Sequence, residues 1–192
     1  MNKKSIKGSE TEKNLMISFA GESQARNRYT YYASQAKKEG FLQIQEIFLE
    51  TAKNEKEHAE IFFEYLEDEP ISICAKFLTG LGKTKENLET AILGEHEENT
   101  NLYPHFAEIA EEEGFTEIAN SFREIAHAEK AHEVRFKKLL KNVEENTVFK
   151  KEKEVEWMCS NCGYHLISKE APKECPSCKH EQKYFHLFCE NY

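Results

Sequence analysis

The stretch IANSFREIAHAEKAHEVRFKKL, residues 118–139, decides the fold of this chain. Read in alternating steps of four and three, one helical face carries five apolar and two polar side chains: Ile118, Phe122, Ile125, Glu129, His132, Phe136 and Leu139. This spacing is typical of the face that a helix buries in a bundle. Because an unpaired carboxylate is costly to bury, the pattern predicts positive charge opposite Glu129.

The rest of the chain supplies partners for this helix. Four stretches have helical periodicity: residues 9–38, 41–67, 85–112 and 115–143. Gly40 and Gly114 separate the members of each pair, which favours tight antiparallel hairpins. Between the hairpins, residues 69–84 are apolar enough to pack along the bundle. One long crossover between two hairpins predicts a mainly α protein with a ferritin-like four-helix bundle.

Composition excludes several classes of function. The chain has 192 residues, 32% of them charged, and a formal net charge of -9, which argues against nucleic-acid binding because that requires basic patches. No stretch approaches the roughly 18 to 20 consecutive apolar residues of a membrane span. No apolar segment follows the lysines of the first fourteen residues, so a secretory signal is not expected and a cytoplasmic location is.

The two hairpins repeat each other in sequence. Three sets match at an offset of 74 residues: the tripeptide EGF at 39–41 and 113–115, Glu55 with Glu129, and His58 with His132. Further upstream the dipeptide GE at 21–22 recurs at 94–95, an offset of 73. The third helix therefore contains one additional residue, and we expect a π-bulge near the site.

The repeated polar residues predict a metal site inside the bundle. Each Glu-x-x-His pair places a carboxylate and an imidazole one turn apart on the same helix face. A Glu from each of two helices plus Glu-x-x-His from each of two others is the ligand set of carboxylate-bridged di-metal bundles. The candidate ligands are Glu22, Glu55, His58, Glu95, Glu98, Glu129 and His132. Mixed oxygen and nitrogen ligands suit iron or manganese. A third pair, Glu124 with His127, has no repeat counterpart and is expected on the surface.

Three residues near this site are candidates for catalysis. Glu98 has no counterpart in the first hairpin, and an additional carboxylate suggests that one metal changes ligands as its charge changes. Tyr29 and Tyr103 fall on the same helix faces as the ligands, where they would orient carboxylates or deliver protons. The alternative, that both are core aromatics with satisfied hydroxyls, is equally open at this point.

The tail carries a second metal motif. Cys159, Cys162, Cys175 and Cys178 form C-x2-C-x12-C-x2-C, which predicts a tetrahedral site with four thiolate ligands. The spacing suits zinc as well as iron. Cys74 and Cys189 lack partners at ligand spacing and are expected to be structural. We predict a bundle domain over 1–145, a linker over 146–156 and a four-cysteine domain over 157–192.

Taken together, these motifs resemble the rubrerythrin family over nearly the whole chain. The stretches that carry the resemblance are FAGESQARNRY (19–29), NEKEHA (54–59), GEHEENTNLYPHF (94–106), AEKAHEVRF (128–136), CSNCGY (159–164) and CPSC (175–178). The resemblance implies a ferritin-like di-iron domain, with Glu98 and His58 exchanged at one iron between oxidation states. It also implies a rubredoxin-like domain whose four cysteines hold one iron, and reduction of hydrogen peroxide as a protection against oxidative stress.

The same resemblance implies partners. A reductase or a rubredoxin-type protein would donate electrons, and the tail would return them one at a time, which iron does and zinc cannot. Because helices of this length span about 40 Å, a tail that follows the fourth helix is expected to serve the other chain of a homodimer. Two rival functions remain: a ferroxidase or iron-storage protein, and a non-enzymatic bundle with a zinc-ribbon interaction module.

Overall fold

The computed structural model describes residues 4–190, so residues 1–3 and 191–192 of the two predicted domains lie outside it. The bundle helices are α1 (Glu10–Lys38), α2 (Leu42–Tyr65), α3 (Thr84–Glu97), α4 (Tyr103–Glu112) and α5 (Thr116–Glu144). Between α3 and α4, Glu98–Leu102 forms a π-helix, here called the π segment. The predicted four-helix bundle and the predicted π-bulge are both confirmed, since α3, the π segment and α4 follow one another directly.

Local sequence explains where the helices begin and end. The side chain of Ser9 accepts a hydrogen bond from the backbone N–H of Glu12 and so caps α1. At the other end Gly40 adopts φ +82°, which an L-residue rarely tolerates, and Phe41 donates its N–H to the carbonyl of Ala36. Phe115 and Ala110 repeat this bond at the α4–α5 turn. The duplicated EGF tripeptide thus ends α1 and α4 in the same way.

The bundle core is divided into two apolar clusters. One cluster includes Leu15, Phe62, Tyr103, Ile118 and Phe122. The other includes Tyr29, Phe48, Leu88, Phe136 and Leu139. The polar side chains of the predicted site lie between the two clusters in sequence on every helix, so the apolar residues on both sides exclude water from it.

The crossover between the hairpins contacts α1 and α3 at Leu78, but residues 69–83 are exposed or half-buried, so the packing expected of this stretch is only partly observed. It forms neither helix nor strand between α2 and α3. The guanidinium of Arg28 donates to the carbonyl of Leu78 at 3.3 Å, and a Cβ placed on Gly94 would lie 3.3 Å from the Leu78 side chain. Gly94 therefore allows the crossover to approach α3 closely beside the metal ligands.

The tail is a three-stranded antiparallel sheet with strand order β2-β1-β3. Its strands are β1 (Lys150–Cys159), β2 (His165–Glu170) and β3 (Phe185–Leu187). Trp157 and Phe185 are buried together with Cys159 and Cys175, and Tyr164 packs against them. β1 begins inside the stretch expected as linker, because Lys150 already lies opposite Glu170 in the ladder. Among residues 4–190, none of the helices is both long and apolar enough to cross a membrane.

Candidate metal centre

Six of the seven predicted bundle ligands meet at the middle of the bundle. Two groups of side chains have ligand atoms within 4.8 Å of one another: Glu22, Glu55, His58 and Glu129, and Glu55, Glu95, Glu129 and His132. Glu55 and Glu129 belong to both groups, so their carboxylates lie between two adjacent cation positions. Each position is completed by one further carboxylate and one imidazole, which is the arrangement that the internal repeat predicts.

The positive charge predicted opposite Glu129 comes from two histidines. His58 Nδ1 lies 2.8 Å from Glu129 Oε1, and His132 Nδ1 lies 2.8 Å from Glu129 Oε2. His132 also lies 3.3 Å from a carboxylate oxygen of Glu55. The four residues Glu55, His58, Glu129 and His132 are all buried, so these pairs interact in a medium that screens charge weakly.

The pKa values of the carboxyl and imidazole groups in the bundle site are those expected of a cavity that binds cations. Burial, together with neighbouring carboxylates, raises the pKa of Glu22, Glu95 and Glu98 well above the ordinary carboxyl value. Although burial opposes it, hydrogen bonds to Glu129 and Glu55 raise the pKa of His58 to about 9 and that of His132 to about 12. In the absence of metal, protons therefore supply the positive charge that five clustered carboxyl groups require.

Unpartnered ligand atoms show that the residues fit a metal. Within the described part of the chain, five buried ligand oxygens have no hydrogen-bond partner apart from the contacts with His58 and His132: Glu22 Oε2, Glu55 Oε1, Glu95 Oε2 and both oxygens of Glu129. Buried polar atoms are normally satisfied, so these oxygens are suited to bind a cation. Carboxylate oxygens and imidazole nitrogens suit two non-haem iron ions.

Glu98 is placed differently from the other candidate ligands. It is the first residue of the π segment and is partly exposed, whereas the other four carboxylates are buried. It belongs to neither ligand group found among the described residues. Its charge nevertheless acts on the pKa of Glu22. Glu98 therefore stands at the edge of the site, on the only bundle segment with π-helical geometry in the described residues.

The two predicted tyrosines each cross from one hairpin to a carboxylate of the other. Tyr29 donates its hydroxyl to Glu95 Oε1 at 2.6 Å, and Tyr103 donates to Glu22 Oε1. Both are buried, and burial raises the pKa of each phenol well above its ordinary value, so both remain protonated donors. Their hydroxyls bind candidate metal ligands, and the same bonds satisfy the hydroxyls of two core aromatics.

The four tail cysteines form a third ligand group. Cys159, Cys162, Cys175 and Cys178 have sulfur atoms within 4.8 Å of one another. A backbone hydrogen bond at His180 lowers the pKa of the Cys178 thiol to about 6, whereas burial raises that of Cys159 to about 12. A metal that binds all four thiolates must therefore displace protons.

Two predictions about residues outside the metal sites have opposite outcomes. Glu124 and His127 have highly exposed side chains, as predicted for a pair outside the metal site. Cys74 and Cys189, expected to be structural, are instead exposed and add nothing to a core.

Sequence reasoning missed Glu133, a fully buried carboxylate next to His132. It contacts Asn99 and His96 on the third bundle helix. The sequence contains only a weak signal for this residue. Lys130 and Lys137 lie three residues before and four residues after Glu133, so both lie on the same helix face as its carboxylate.

Comparison with known proteins agrees with this geometry along the whole chain. The family model described as rubrerythrin matches residues 13–140, and that of the rubrerythrin rubredoxin-like domain matches 157–186. The rubrerythrin of Porphyromonas gingivalis is 57% identical over 190 residues, which cover 98% of this chain and 95% of the relative. Rubrerythrin-1 of Clostridium acetobutylicum is 55% identical, covering 98% and 100%. A structure of partially reduced nigerythrin shares the fold, with a TM-score of 0.63, 24% identity and coverage of 97% and 94%.

Proposed function

The chain belongs to the rubrerythrin family, and we propose that it reduces hydrogen peroxide to water. Members of this family are oxidoreductases with a di-iron site in the bundle and a rubredoxin-like iron site in the tail, and both ligand sets are present here. The observation that carries the proposal is the pair of adjacent cation positions joined by Glu55 and Glu129.

Peroxide reduction requires two electrons and two protons for each two molecules of water formed. Two ferrous ions, held by Glu22 with His58 and by Glu95 with His132, supply both electrons together when bound. Burial of the site keeps bulk water from the reacting oxygens. We propose that Glu55 and Glu129, the shared carboxylates, would set the spacing of the two cation positions.

We assign proton delivery to Glu98, and orientation of the ligands to Tyr29 and Tyr103. Glu98 is the most exposed of the five carboxylates, and burial of its carboxyl group together with neighbouring carboxylates raises its pKa, which favours the protonated form. Tyr29 donates a hydrogen bond to Glu95, and Tyr103 donates one to Glu22, so each hydroxyl is one hydrogen bond away from a candidate metal ligand. We propose that protons enter past Glu98 and that the tyrosines keep the ligand oxygens oriented.

We propose that the tail returns electrons to the bundle of a second copy of the chain. Within one chain the tail lies at the α1–α2 turn, where the Cβ of Lys183 is 4.0 Å from the Cβ position of Gly40. Glu55 lies fifteen residues further along the chain than Gly40, which corresponds to about 22 Å of helix. A head-to-tail homodimer in the cytoplasm, fed by a reductase or a rubredoxin-type protein, would shorten the path for the electrons.

Rapid mixing tests the proposed reaction. The anaerobically reduced, iron-loaded protein is mixed with one equivalent of hydrogen peroxide and, separately, with oxygen, while visible absorbance is followed. We expect peroxide to oxidise the bundle iron faster than oxygen does, because two electrons reduce peroxide completely to water whereas oxygen requires four. Iron analysis before and after the reaction should give no more than the three ions that the two sites hold.

The Cys175→Ser variant provides the control for the tail. Its bundle site should still be oxidised by a single addition of peroxide, while sustained turnover with an external electron donor should be lost. Faster oxidation by oxygen than by peroxide, with iron retained beyond three ions per chain, would favour the ferroxidase alternative instead.

A further inference from the structure

Glu133 is a buried carboxylate outside the ligand set that is surrounded by hydrogen-bond donors. Its oxygens lie 3.0 Å from His96 Nδ1, 3.0 Å from Asn99 Nδ2 and 2.8 Å from Lys130 Nζ, and Lys137 donates a further hydrogen bond. No part of the Glu133 side chain is exposed, whereas the side chains of His96, Lys130 and Lys137 are about half exposed. Two ammonium groups and an amide therefore pair with one buried anion.

Asn99 connects this anion to the π segment. Its side-chain amide donates both to Glu133 Oε2 and to the backbone carbonyl of Glu95, one turn earlier on the same helix. At the end of the segment the N–H of Tyr103 bonds the carbonyl of Glu98, five residues back. π-helical turns are rare and usually occupy a single turn within an α-helix. The cluster therefore joins α5 to the place where the third bundle helix departs from α-helical geometry.

The internal repeat shows that this cluster accompanies the π segment. At the offset of 74 that relates α5 to α2, Glu133 corresponds to Ala59. At the offset of 73 that holds before the inserted residue, Asn99 corresponds to Arg26. In the first hairpin both of these counterparts line an open groove beside Phe19. Within the described residues, the buried carboxylate and the π geometry occur together in the second hairpin only.

We propose that Glu133 is a positioning residue that locks the π segment against α5 through Asn99. The π turn begins at Glu98, and the lock fixes Glu98 and Glu95 against Glu129 and His132, which α5 carries. This role concerns the geometry of the metal centre, so it is independent of which oxidant reacts there. Glu133 acts through hydrogen bonds and an ionic contact and is not itself a ligand.

The physical consequence of breaking the lock is local. Without the carboxylate, the amide of Asn99 loses a charged acceptor, and Lys130 and Lys137 lose the anion between them. Water can solvate the two half-exposed lysines, so the main consequence is that the half-buried amide of Asn99 loses its acceptor on α5. The π segment would then be held less tightly to α5. Because this segment carries Glu98 and begins three residues after Glu95, metal binding should weaken.

The test compares Glu133→Ala and Glu133→Gln with Glu124→Gln, which alters a highly exposed Glu on the same helix. Hydrogen exchange in the metal-free protein reports the amides of residues 98–103, and Co²⁺ titration reports affinity at the bundle site. Residues that orient metal ligands typically contribute 10- to 100-fold in affinity. We expect Glu133→Ala to weaken Co²⁺ binding by about that factor and to raise exchange of 98–103 more than exchange in α5. Glu133→Gln, which keeps an acceptor for Asn99, should show a smaller effect.

A double-variant comparison distinguishes a lock from general destabilisation. If Glu133 acts through Asn99, then Asn99→Ala should reproduce the loss of Co²⁺ affinity, and the double variant should lose little more than either single one. Equal Co²⁺ affinity in Glu133→Ala and Glu124→Gln, with uniform changes in exchange along α5, would overturn the proposal. Should Glu133→Ala fail to fold, Glu133→Gln and Asn99→Ala decide between these outcomes by the same two measurements.

Discussion

At the scale of single residues, Tyr29 and Tyr103 each occupy one oxygen of a candidate ligand. The hydroxyl of Tyr29 binds Oε1 of Glu95 and that of Tyr103 binds Oε1 of Glu22, whereas Oε2 of each carboxylate accepts no hydrogen bond. Each carboxylate would therefore offer its Oε2 to a metal. Because both tyrosines come from the opposite hairpin, they also hold the two halves of the site in register.

Replacing Tyr103 by Phe tests this arrangement. The variant removes the donor to Glu22 while keeping the buried ring, so the protein should fold and retain its iron. Loss of a hydrogen bond to a charged group costs about 1.5 to 3 kcal/mol, and we expect the rate of oxidation by peroxide to fall roughly tenfold to a hundredfold. Stopped-flow absorbance measures the rate, with Tyr31→Phe as the control because Tyr31 is exposed. An unchanged rate would show that the hydroxyl has no part in the reaction.

At the scale of elements, most of the bundle follows from local sequence and the rest from tertiary contacts. Helix limits and the π segment are predictable because periodicity, the EGF turns and the change of offset are all local or repeat signals. The start of β1 is not, since residues 150–156 become a strand only by pairing with β2 and lack clear apolar alternation. The cluster around Glu133 was missed for the same reason: two of its partners, His96 and Asn99, come from another helix.

Contacts between hairpins make the metal-free bundle sensitive to pH. His58 of α2 pairs with Glu129 of α5, and His132 of α5 pairs with Glu55 of α2. Both histidines have a pKa raised above the ordinary 6.5, to about 9 and about 12 respectively. The folded state then binds more protons than the unfolded state, so the stability from these pairs is complete below pH 6.5 and is lost as the pH rises.

We therefore expect the melting temperature of the metal-free protein to fall between pH 6.5 and 9. The raised pKa values of His58 and His132 each correspond to a loss on the order of 3 kcal/mol across that range. In the iron-loaded protein the fall should be absent, because bound cations replace the protons. Calorimetry of both forms measures the effect, and His58→Gln should roughly halve the fall in the metal-free form, because His132 remains. A metal-free protein that becomes more stable from pH 6.5 to 9 would contradict the assigned charge states.

At the scale of the whole molecule, two metal domains must exchange electrons across a distance set by the bundle. The tail lies beside the α1–α2 turn, where Lys183 approaches Gly40, whereas the bundle ligands lie at the middle of the helices. If electrons moved only within one chain, the length of α2 between turn and site would separate donor from acceptor. A head-to-tail dimer removes that separation, since the tail of one copy would approach the middle of the other.

Hybrid dimers distinguish transfer within a chain from transfer between chains. One variant, Glu95→Ala with His132→Ala, keeps the tail and removes two ligands from the bundle. The other, Cys175→Ser with Cys178→Ser, keeps the bundle and removes the tail site. Each variant alone should show no sustained peroxide turnover with an external electron donor, and analytical ultracentrifugation should show that both dimerise like the unaltered protein.

Refolding the two variants together gives hybrids in which one working tail faces one working bundle only across the dimer. With random pairing, half of the dimers are hybrids and each has one of two routes intact, so between-chain transfer predicts about one quarter of the unaltered turnover. Transfer within a chain predicts none, because no single polypeptide carries both sites. Separate tags allow the hybrid to be purified, which should raise the value to about half. Absence of turnover in the purified hybrid would exclude the proposed head-to-tail route.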